Sequence, residues 1–426
     1  MDVDRLLEVM TLGAFALLFY AYAGYPALLW LLSRLAPEEA ERRGNSAERP
    51  AISILISAYN EEAAIDDRIR NLLALDYPRQ KIEILIGSDG STDRTAEIVA
   101  SYRAEGVRLF AFPHRRGKAS VLNDLVREAR SDIVVLTDAN TFFHPAAAGR
   151  LIDALLGRPY GSVAVGRLDL RSAAKNGNLD GAYWRYETWI KTLESHFGSL
   201  LGANGAIYAF RRERYRPLPR EAIVDDFLIP MLMRLHSGDR IFLVPGATAW
   251  EKSPEEVRDE FRRRVRIGAG DFQALRWTWR LLLPWRGMVA LAYFSHKVLR
   301  WLGPWFLLAA LAGNFMLLGN PFFNLLFLAQ LAFYLLALGG ALLRPLPAVG
   351  RLAAAARYFV VLNAGLFLGL ARLAVGAARP TWSTAPRKGL EAEREAEKTR
   401  MGRYRSASEL GRSGDHDIGD SRPWTP

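Results

Sequence analysis

Long apolar runs lie near both ends of the chain, and short ones lie between them. The run Met10–Leu32 is long enough to cross a bilayer, since about 20 apolar residues span its hydrocarbon core as a helix. Later runs of this kind are Leu302–Leu318, Phe322–Leu343 and Ala355–Val375. Charged and apolar residues are mixed between about Ala36 and Asp271. The pattern predicts a membrane protein with a water-facing domain.

Four short apolar runs in that domain each end in a polar cluster, and the first three are followed by apolar residues at helical spacing. The runs are Ile52–Ile56, Ile82–Ile86, Val107–Phe112 and Ile133–Leu136, and the clusters are Ser57–Glu61, Gly87–Asp93, Pro113–Lys118 and Asp138–Asn140. This alternation predicts a parallel sheet with helices on its faces. Ligands gather beyond the carboxyl ends of such strands, so we expect the four clusters to share one edge. Ser91 or Thr92 is placed to cap the second helix.

The fourth cluster, Asp138-Ala-Asn140, offers two oxygen-bearing side chains directly after a buried strand. Both side chains can lean over one cavity, and a hard divalent cation that carries a diphosphate takes one or two such oxygens. An Asx-turn that caps the next helix is the alternative for this fragment alone.

Beyond Leu151 the pattern loosens, but four features carry possible chemistry. They are an aromatic-rich helix around Tyr183–Trp189, a tight turn at Leu201–Gly205 before the run Ala206–Phe210, the pair Asp225-Asp226 opening a helix, and the basic cluster Phe261–Gly268. Trp184 and Trp189 suit core or membrane-interface packing, with a sugar platform as the alternative.

Charge and composition then limit the function classes. The net charge is +11, but the arginines flank apolar spans and cluster near Arg262–Arg266, without an aromatic-interleaved basic stripe. The charge therefore indicates membrane orientation and anion binding, with no nucleic acid as a partner. The chain has no cysteine, which excludes disulfides and thiolate metal sites.

The flanking charges predict the orientation of the first span. Acidic residues precede it and basic residues follow it: Asp2, Asp4 and Glu8 against Arg34, Arg42 and Arg43. The first span, within residues 1–35, should be an uncleaved anchor that starts outside, so that the domain is cytoplasmic. With the start of the chain outside, four spans would place the C-terminal tail outside as well. The tail has a slight excess of basic residues, which favours the cytoplasmic side instead.

The predicted domain boundaries follow from these patterns. A charged linker covers 36–50, the catalytic domain 51–275, and amphipathic interfacial helices 276–300. About three transmembrane helices cover 301–378, and a tail, rich in both charge signs and predicted to be disordered, covers 379–426.

Seven ordered motifs resemble those of the membrane-embedded family 2 glycosyltransferases, the group of cellulose, chitin-oligomer, poly-N-acetylglucosamine and hyaluronan synthases. They are Ala58-Tyr-Asn-Glu61, Asp89-Gly-Ser-Thr-Asp93, Gly117-Lys118 with Asn123, Asp138-Ala-Asn140, Gly202-Ala-Asn-Gly205, Asp225-Asp226 and Arg263-Arg-Val-Arg266. The resemblance covers about Ala51–Val375. It implies a GT-A domain, an α/β Rossmann-like mixed sheet, between an N-terminal anchor and a C-terminal transmembrane bundle.

The resemblance also implies a donor site. Asp89 would accept a hydrogen bond from the base, with Asn60 and Glu61 lining the same pocket, and a carboxylate suits the N3–H of uracil because it only accepts. Lys118 would offer a charge to the diphosphate, although a solvated lysine at a helix start is the alternative. Asp138 would bind Mg²⁺ or Mn²⁺. Asn140 stands where the family usually has a carboxylate, so its amide could ligate the metal without adding charge.

The later motifs imply the catalytic and acceptor groups. Asp226 would be the base of an inverting single displacement, and Asp225 could cap its helix. The turn with Gly202 and Asn204 would lie beside the acceptor. Arg266 would brace the diphosphate.

The basic cluster departs from the family's Gln-x-x-Arg-Trp motif, because Arg263 replaces the glutamine and Ile267 the tryptophan. Arg263 could add a second guanidinium, and a membrane-facing basic face is the alternative for the whole cluster. Without the indole, chain-extending synthesis is more in doubt than transfer itself.

We therefore predict a multi-pass enzyme of the cell's inner membrane that transfers a sugar from a nucleotide donor, UDP-linked, to a growing polysaccharide. A lipid-linked acceptor with single transfer is the alternative, and membrane lipid is a partner in both. A sugar-nucleotide pyrophosphorylase shares the sheet but needs neither the membrane bundle nor the late base. A further alternative is a catalytically silent membrane partner that only binds nucleotide. Asn140 and Ile267, the two departures from the family motifs, are the residues that favour it.

Overall fold

The computed structural model describes residues 2–35, 49–158, 161–171, 179–252, 257–340, 342–343 and 346–381. The predicted linker falls outside these residues between 36 and 48, and the predicted tail does so from 382 onward.

In the part of the chain that the structure describes, one mixed sheet of eight strands forms the centre of the predicted water-facing domain. The strands are β1 Ile52–Ala58, β2 Ile82–Asp89, β3 Val107–Phe112, β4 Ile133–Asp138, β5 Phe142–Phe143, β6 Gly161–Arg171, β7 Tyr208–Arg211 and β8 Arg240–Lys252. Their order across the sheet is β3-β2-β1-β4-β7-β6-β8-β5. The mixed sheet predicted from the resemblance is confirmed.

The four strands predicted first run parallel and end together. Ser57 of β1 pairs with Gly87 of β2 on one side and with Asp138 of β4 on the other. Beyond β4 the direction changes, since β7 is antiparallel to β4 and to β6, while β6 and β8 are parallel. The carboxyl ends of β1, β2 and β4 therefore form one edge, as the sequence predicted.

Helices cover both faces of this sheet. They are α3 Ile65–Leu73, α4 Thr95–Ser101, α5 Lys118–Glu128, α6 Ala147–Leu156, α7 Leu179–His196, α8 Asp225–Ser237 and α9 Val257–Thr278. Alternate strand residues face opposite layers: Ile54 belongs to the core under α3 and α6, and Leu55 to the core under α5 and α8. These two packed cores fix the strand ends on which the site is built.

The apolar helices lie at the two ends of the chain. They are α1 Val3–Phe19, a π-helical turn Tyr20–Gly24, α2 Tyr25–Leu35, α10 Met288–Ala292, a second π-helical turn Tyr293–Val298, α11 Leu299–Trp301, α12 Gly303–Met316, α13 Pro321–Gly339 and α14 Pro347–Ala374. Among the described residues, four short 3₁₀ turns occur, at Arg79–Lys81, Arg212–Arg214, Trp279–Leu282 and Pro284–Arg286.

Three of these helices are long and apolar enough to cross a membrane: Val3–Leu35, Pro321–Gly339 and Ala348–Ala374. A fourth span is possible if Met288–Trp301 and Gly303–Met316, which meet at a 57° bend, count together. The predicted span at 302–318 thus corresponds to only 14 helical residues, and it reaches spanning length by joining the preceding helix.

The last apolar helix packs closely on α9, the helix that carries the basic cluster. A Cβ added to Gly369 would lie 2.7 Å from the carbonyl oxygen of Val265, and one added to Gly365 would lie 2.9 Å from Cβ of Arg264. Small residues allow two helix backbones to approach this closely. The second half of α14 therefore lies against the catalytic domain.

Candidate active site

Three side chains from separate parts of the chain meet at the carboxyl edge of the sheet. Lys118 is the first residue of α5, Asp138 the last of β4, and Asp225 the first of α8. Nζ of Lys118 lies 2.7 Å from Oδ1 of Asp138 and 3.0 Å from Oδ2 of Asp225. Burial alone would lower the pKa of Lys118, but the charges of Asp138 and Asp225 overcome this and raise it.

The acidic pair opens α8, as the sequence predicted. Asp225 is buried, and this burial, together with the charges of Asp226 and Asp138, raises its pKa to about 6 against the opposing charge of Lys118. Asp226 is half-buried, and its Oδ2 accepts a hydrogen bond of 3.0 Å from the backbone N–H of Gly205. Asp226 is thus oriented and reachable, while Asp225 is enclosed.

The glycine turn is held against this pair. The N–H of Ala203 donates to the carbonyl of Asp226 at 2.9 Å. Gly202 has φ +71°, and an added Cβ would lie 2.8 Å from the Phe227 ring. At Gly205 an added Cβ would lie 2.7 Å from Oδ2 of Asp138. Glycine at these positions therefore lets the turn approach both carboxylates.

Asn204 is bonded to the protein on both sides of its amide. Its side chain is 8% exposed, donates to the carbonyl of Gly166 at 3.0 Å and accepts from the N–H of Ile207. These bonds join the turn to β6. Contact of Asn204 or Gly202 with an acceptor stays a prediction.

Asp89 holds a loop in place. Its two oxygens accept hydrogen bonds from the backbone N–H groups of Arg116 and Gly117, at 2.6 and 2.9 Å, and the residue is fully buried. The guanidinium of Arg115, in the same loop, lies 3.6 Å from the ring centroid of Tyr59. Asp89 therefore fixes the third polar cluster beside the second, and the Arg115 contact places it beside Tyr59 of the first. Contact of Asp89 with a base stays a prediction.

The first two clusters are bonded to each other. The side chain of Asn60, a residue with φ 52°, accepts from the N–H of Thr92 at 2.8 Å and donates to its hydroxyl. The N–H of Glu61 donates to Thr95. The N-cap position of α4 is Arg94, and Asp93 before it accepts from the N–H of Thr95 at 3.0 Å. The prediction that Ser91 or Thr92 caps this helix is therefore corrected.

Asp138 and Asn140 can hold a divalent cation. Both are half-buried, and Oδ2 of Asp138 has no hydrogen-bond donor among the described residues, nor does the Asn140 amide bond to any of them. In the described part of the chain no three His, Cys, Asp or Glu side chains form a metal cluster. Mg²⁺ or Mn²⁺ needs only one or two protein oxygens when a diphosphate and water complete its shell, so these residues fit such an ion.

Arg266 is bonded to the segment that leads into the acidic pair. It is half-buried, donates to the carbonyl of Ile223 at 3.2 Å, and has its pKa lowered by burial and by the neighbouring charge of Arg263. The charges of Asp225 and Asp226 act on it in the opposite direction. Ile267 packs at the edge of the hydrophobic core.

Comparison with known proteins now adds to this geometry. Residues 53–213 match the model of glycosyl transferase family 2. This part of the chain is similar to the family 2 glycosyltransferases. The matched residues run from β1 to β7 and include the rim residues up to Gly205.

Two curated relatives are similar to the chain over about half its length. A probable glycosyltransferase of Bacillus subtilis is 27% identical over 249 residues. A poly-β-1,6-N-acetyl-D-glucosamine synthase of Staphylococcus aureus is 28% identical over 237 residues. In both cases the match covers 54% of this chain and 57% of the relative, so the chain spans little more than half of each relative's length.

A solved structure resembles the fold over most of the chain. It is a mannosyltransferase from Pyrobaculum calidifontis in complex with GDP-mannose and Mn²⁺, with a TM-score of 0.66 and 22% identity. The likeness covers 86% of this chain and 99% of that one. It therefore extends beyond the family 2 domain to most of the helices that flank it.

A buried ionic network that sequence reasoning missed joins the domain to the apolar helices. Nδ1 of His296 lies 2.6 Å from Glu194, and its Nε2 lies 3.1 Å from Glu187. Arg300 also donates to Glu187 and to the carbonyl of Ala21. Burial alone would raise the pKa of Glu187, but Arg300 and His296 hold it well below its usual range. The network links α7 to both π-helical turns. Its members are far apart in sequence, so no local sequence pattern indicates that they pair.

Proposed function

We propose that this protein is an inverting, metal-assisted glycosyltransferase that moves a sugar from a nucleotide donor to a growing polysaccharide at the cytoplasmic face of the membrane. The observation that carries the proposal is the convergence of Lys118, Asp138, Asp225 and the reachable Asp226 at one edge of a family 2 domain. These four groups come from three separate parts of the chain, and their meeting at one edge is what a shared catalytic role would require.

The reaction needs one base and a stabilised leaving group. Asp226 takes the proton of the acceptor hydroxyl as the oxygen attacks the anomeric carbon. The new C–O bond forms while the bond to the diphosphate breaks, and the electron pair leaves with the nucleoside diphosphate. Attack from the opposite side inverts the anomeric carbon. The Gly205 N–H keeps Oδ2 of Asp226 in place.

The leaving diphosphate meets positive charge from this chain. Lys118 and Arg266 lie beside the acidic groups and can bind its oxygens. Asp138 and Asn140 would hold a divalent cation, which would help to neutralise the charge on the leaving group. The Pyrobaculum calidifontis structure holds GDP-mannose with Mn²⁺, which supports a nucleotide sugar and a divalent ion. A UDP-linked donor is our proposal from the sequence.

A multi-pass location in the inner membrane fits the surface of the apolar helices. On α13 the large side chains Leu325, Leu328 and Leu335 are 67%, 60% and 59% exposed. Lipid would cover a surface of this kind, which is unfavourable in water. The S. aureus relative is named a polysaccharide synthase, and this supports a polymer as the acceptor.

The deciding experiment uses the full chain in lipid nanodiscs with UDP-, GDP- and dTDP-sugars and Mg²⁺ or Mn²⁺. We expect transfer from one donor class, with the product measured by mass spectrometry, and we expect Asp226→Asn to lower the rate about 10²- to 10⁴-fold. Equal transfer rates for Asp226→Asn and the native chain would reject Asp226 as the base. No transfer by the native chain from any of the donors would favour a silent nucleotide-binding partner.

Product length separates the two acceptor classes. Long polymer supports a polysaccharide synthase, whereas one sugar per acceptor supports transfer to a lipid or lipid-linked acceptor. The second candidate is favoured by Ile267, which offers no indole for a sugar of the growing chain to stack on.

A further inference from the structure

A pocket of about 360 Å³ lies at the opposite end of α8 from the acidic pair. It is lined by Arg234 in the last turn of α8, by Arg240 at the start of β8, and by Arg286 in the short 3₁₀ turn before α10. We name it the arginine pocket. Its volume falls within the range of about 300–1000 Å³ that small-molecule sites occupy. The proposed transfer reaction uses none of these three arginines.

Two of the arginines meet at one glycine of the arginine pocket. Arg234 is 3% exposed and donates to the carbonyl oxygens of Gly198, Leu200 and Asp239, at 2.9, 2.9 and 3.0 Å. The side chain of Arg240 also lies against Gly198, because a Cβ added there would be 3.5 Å from its Cδ and 3.6 Å from its Nε. Hydrogen bonds and direct packing therefore hold this part of the pocket in place.

The arginine pocket has an excess of positive charge. Asp239 is the only acid among the described residues that line it, and its Oδ1 already pairs with Arg214 at 3.5 Å. Arg234 bonds to carbonyl oxygens and to no carboxylate. The side chain of Arg286 forms no ion pair or hydrogen bond with any described residue, although its Nε is enclosed. A partly buried cation without an anion is unfavourable, and a bound phosphate would supply the missing charge.

The same pocket lies where the apolar helices begin again after the catalytic domain. Met288 and Val289 line it, and Met288 opens the bent helix pair that could form a span. Trp285 also lines it and is 76% exposed, and Trp279 in the preceding 3₁₀ turn is 51% exposed. Exposed indoles next to a span favour the bilayer interface. Arginines beside an apolar wall at this level suit an anionic amphiphile better than a free ion.

We propose that the arginine pocket binds the phosphate group of an anionic phospholipid, with the apolar part of the lipid against Met288 and Val289. Arginine suits this ligand because its planar guanidinium can donate two hydrogen bonds to one phosphate. A lipid bound there joins α8 and β8 of the catalytic domain to the start of the apolar helices. The inference depends on the membrane location proposed above and not on the transfer reaction.

The test measures lipid binding directly and needs no activity. The full chain in a neutral detergent is titrated with phosphatidylglycerol or with phosphatidylcholine, and native mass spectrometry gives the fraction of protein that retains a lipid. We expect the Kd for phosphatidylglycerol to be lower by about tenfold or more, since a hydrogen bond to a charged group contributes this order of affinity. Equal Kd values for the two lipids overturn the proposal.

Variants assign the preference to the arginine pocket. Arg286→Met should weaken phosphatidylglycerol binding about tenfold and leave phosphatidylcholine binding unchanged. Arg240→Met should act in the same direction, and it carries the test if Arg286→Met does not fold. The matched control is Arg280→Met, an exposed cation of the neighbouring 3₁₀ turn, which should keep the native affinity. A loss in Arg280→Met as large as that in Arg286→Met would show that the charge of the interfacial segment attracts the lipid, and would overturn the pocket.

Glycerol 1-phosphate separates a lipid from a soluble phosphate, because it carries the charge without the acyl chains. We expect it to displace phosphatidylglycerol only at concentrations about 10²-fold higher or more, since each buried CH₂ group adds to the affinity of the lipid. Equal affinity of the two compounds would overturn the lipid assignment. A chain that binds phosphatidylglycerol at the arginine pocket but transfers no sugar would support this inference and overturn the proposed function, so the two fail independently.

Discussion

Nζ of Lys118 lies 2.7 Å from Oδ1 of Asp138, joining the first residue of α5 to the last residue of β4. The same ammonium group reaches Asp225 at the start of α8. A single cation thus holds two carboxylates that would otherwise repel each other, and the pKa of Asp225 is raised despite this contact. The donor diphosphate would therefore bind a Lys118 ammonium group that already forms ion pairs with Asp138 and Asp225.

Replacing Lys118 by methionine should lower transfer about 10²-fold, because a preorganised charge at the leaving group is lost. Lys118→Arg should retain more activity, since it keeps the positive charge. Initial rates at saturating donor, with far-ultraviolet circular dichroism to confirm folding, measure the effect. Arg103→Met, an exposed cation at the end of α4, is the control that should not change the rate. Full activity of Lys118→Met would remove Lys118 from the donor site.

The metal site makes a second prediction, because it offers one carboxylate and one amide. Asn140→Asp adds charge to the donor set and should lower the half-saturating Mn²⁺ concentration about tenfold. Asp138→Ala removes the only carboxylate and should abolish transfer. Titration of Mn²⁺ against the transfer rate measures both changes. An Asp138→Ala protein with native rates would show that β4 does not end in a metal site.

The first half of the fold could be predicted from the sequence because its strands are apolar, short and followed by polar clusters. All seven residues of β1 are buried, so the apolar run and the strand coincide. Strand β8 escaped prediction because Pro245 and Gly246 interrupt it. There the register shifts, so that Gly166 pairs with Val244 and Arg167 with Thr248.

The residues of the candidate site could be predicted from the sequence, but several of the contacts between them could not. Asp138, Asp225 and Asp226 meet as expected, since strand ends and a helix start are local signals. The pairing of Lys118 with Asp225 joins residues that are far apart in sequence, and only tertiary packing fixes it. Arg68 was missed for the same reason: it is fully buried below Asp138, where it donates to the Thr137 hydroxyl at 2.9 Å.

Asp271 should make stability depend on pH. Burial and the charge of Asp226 raise its pKa from 3.8 to about 7, so the folded protein holds this proton more tightly than the unfolded chain does. The resulting stabilisation is complete below about pH 4 and is lost as the pH rises through 7, at about 1.4 kcal/mol per pH unit between the two values. Asp271→Asn, which can still accept from Trp301, should therefore lose less stability between pH 5 and pH 8.

Thermal unfolding midpoints of the two proteins at both pH values test this directly. The difference between the proteins isolates Asp271, because Asp225 and all other groups titrate in both. A native protein whose midpoint falls no more than that of Asp271→Asn would show that the Asp271 carboxyl titrates at its ordinary pKa.

The buried network of Glu187, Glu194, His296 and Arg300 predicts a coupling between the catalytic domain and the apolar helices. Arg300→Leu leaves the Glu187 carboxylate buried with one cation fewer, and should destabilise the protein by about 3–5 kcal/mol. Adding Glu187→Leu to this variant should recover part of the loss, because the unpaired charge is then absent. If the losses of unfolding free energy in the two single variants add up in the double variant, the two side chains are not coupled. Unfolding midpoints in detergent measure all four members of the cycle, and Arg276→Leu, an exposed residue of α9, serves as the control for loss of an arginine.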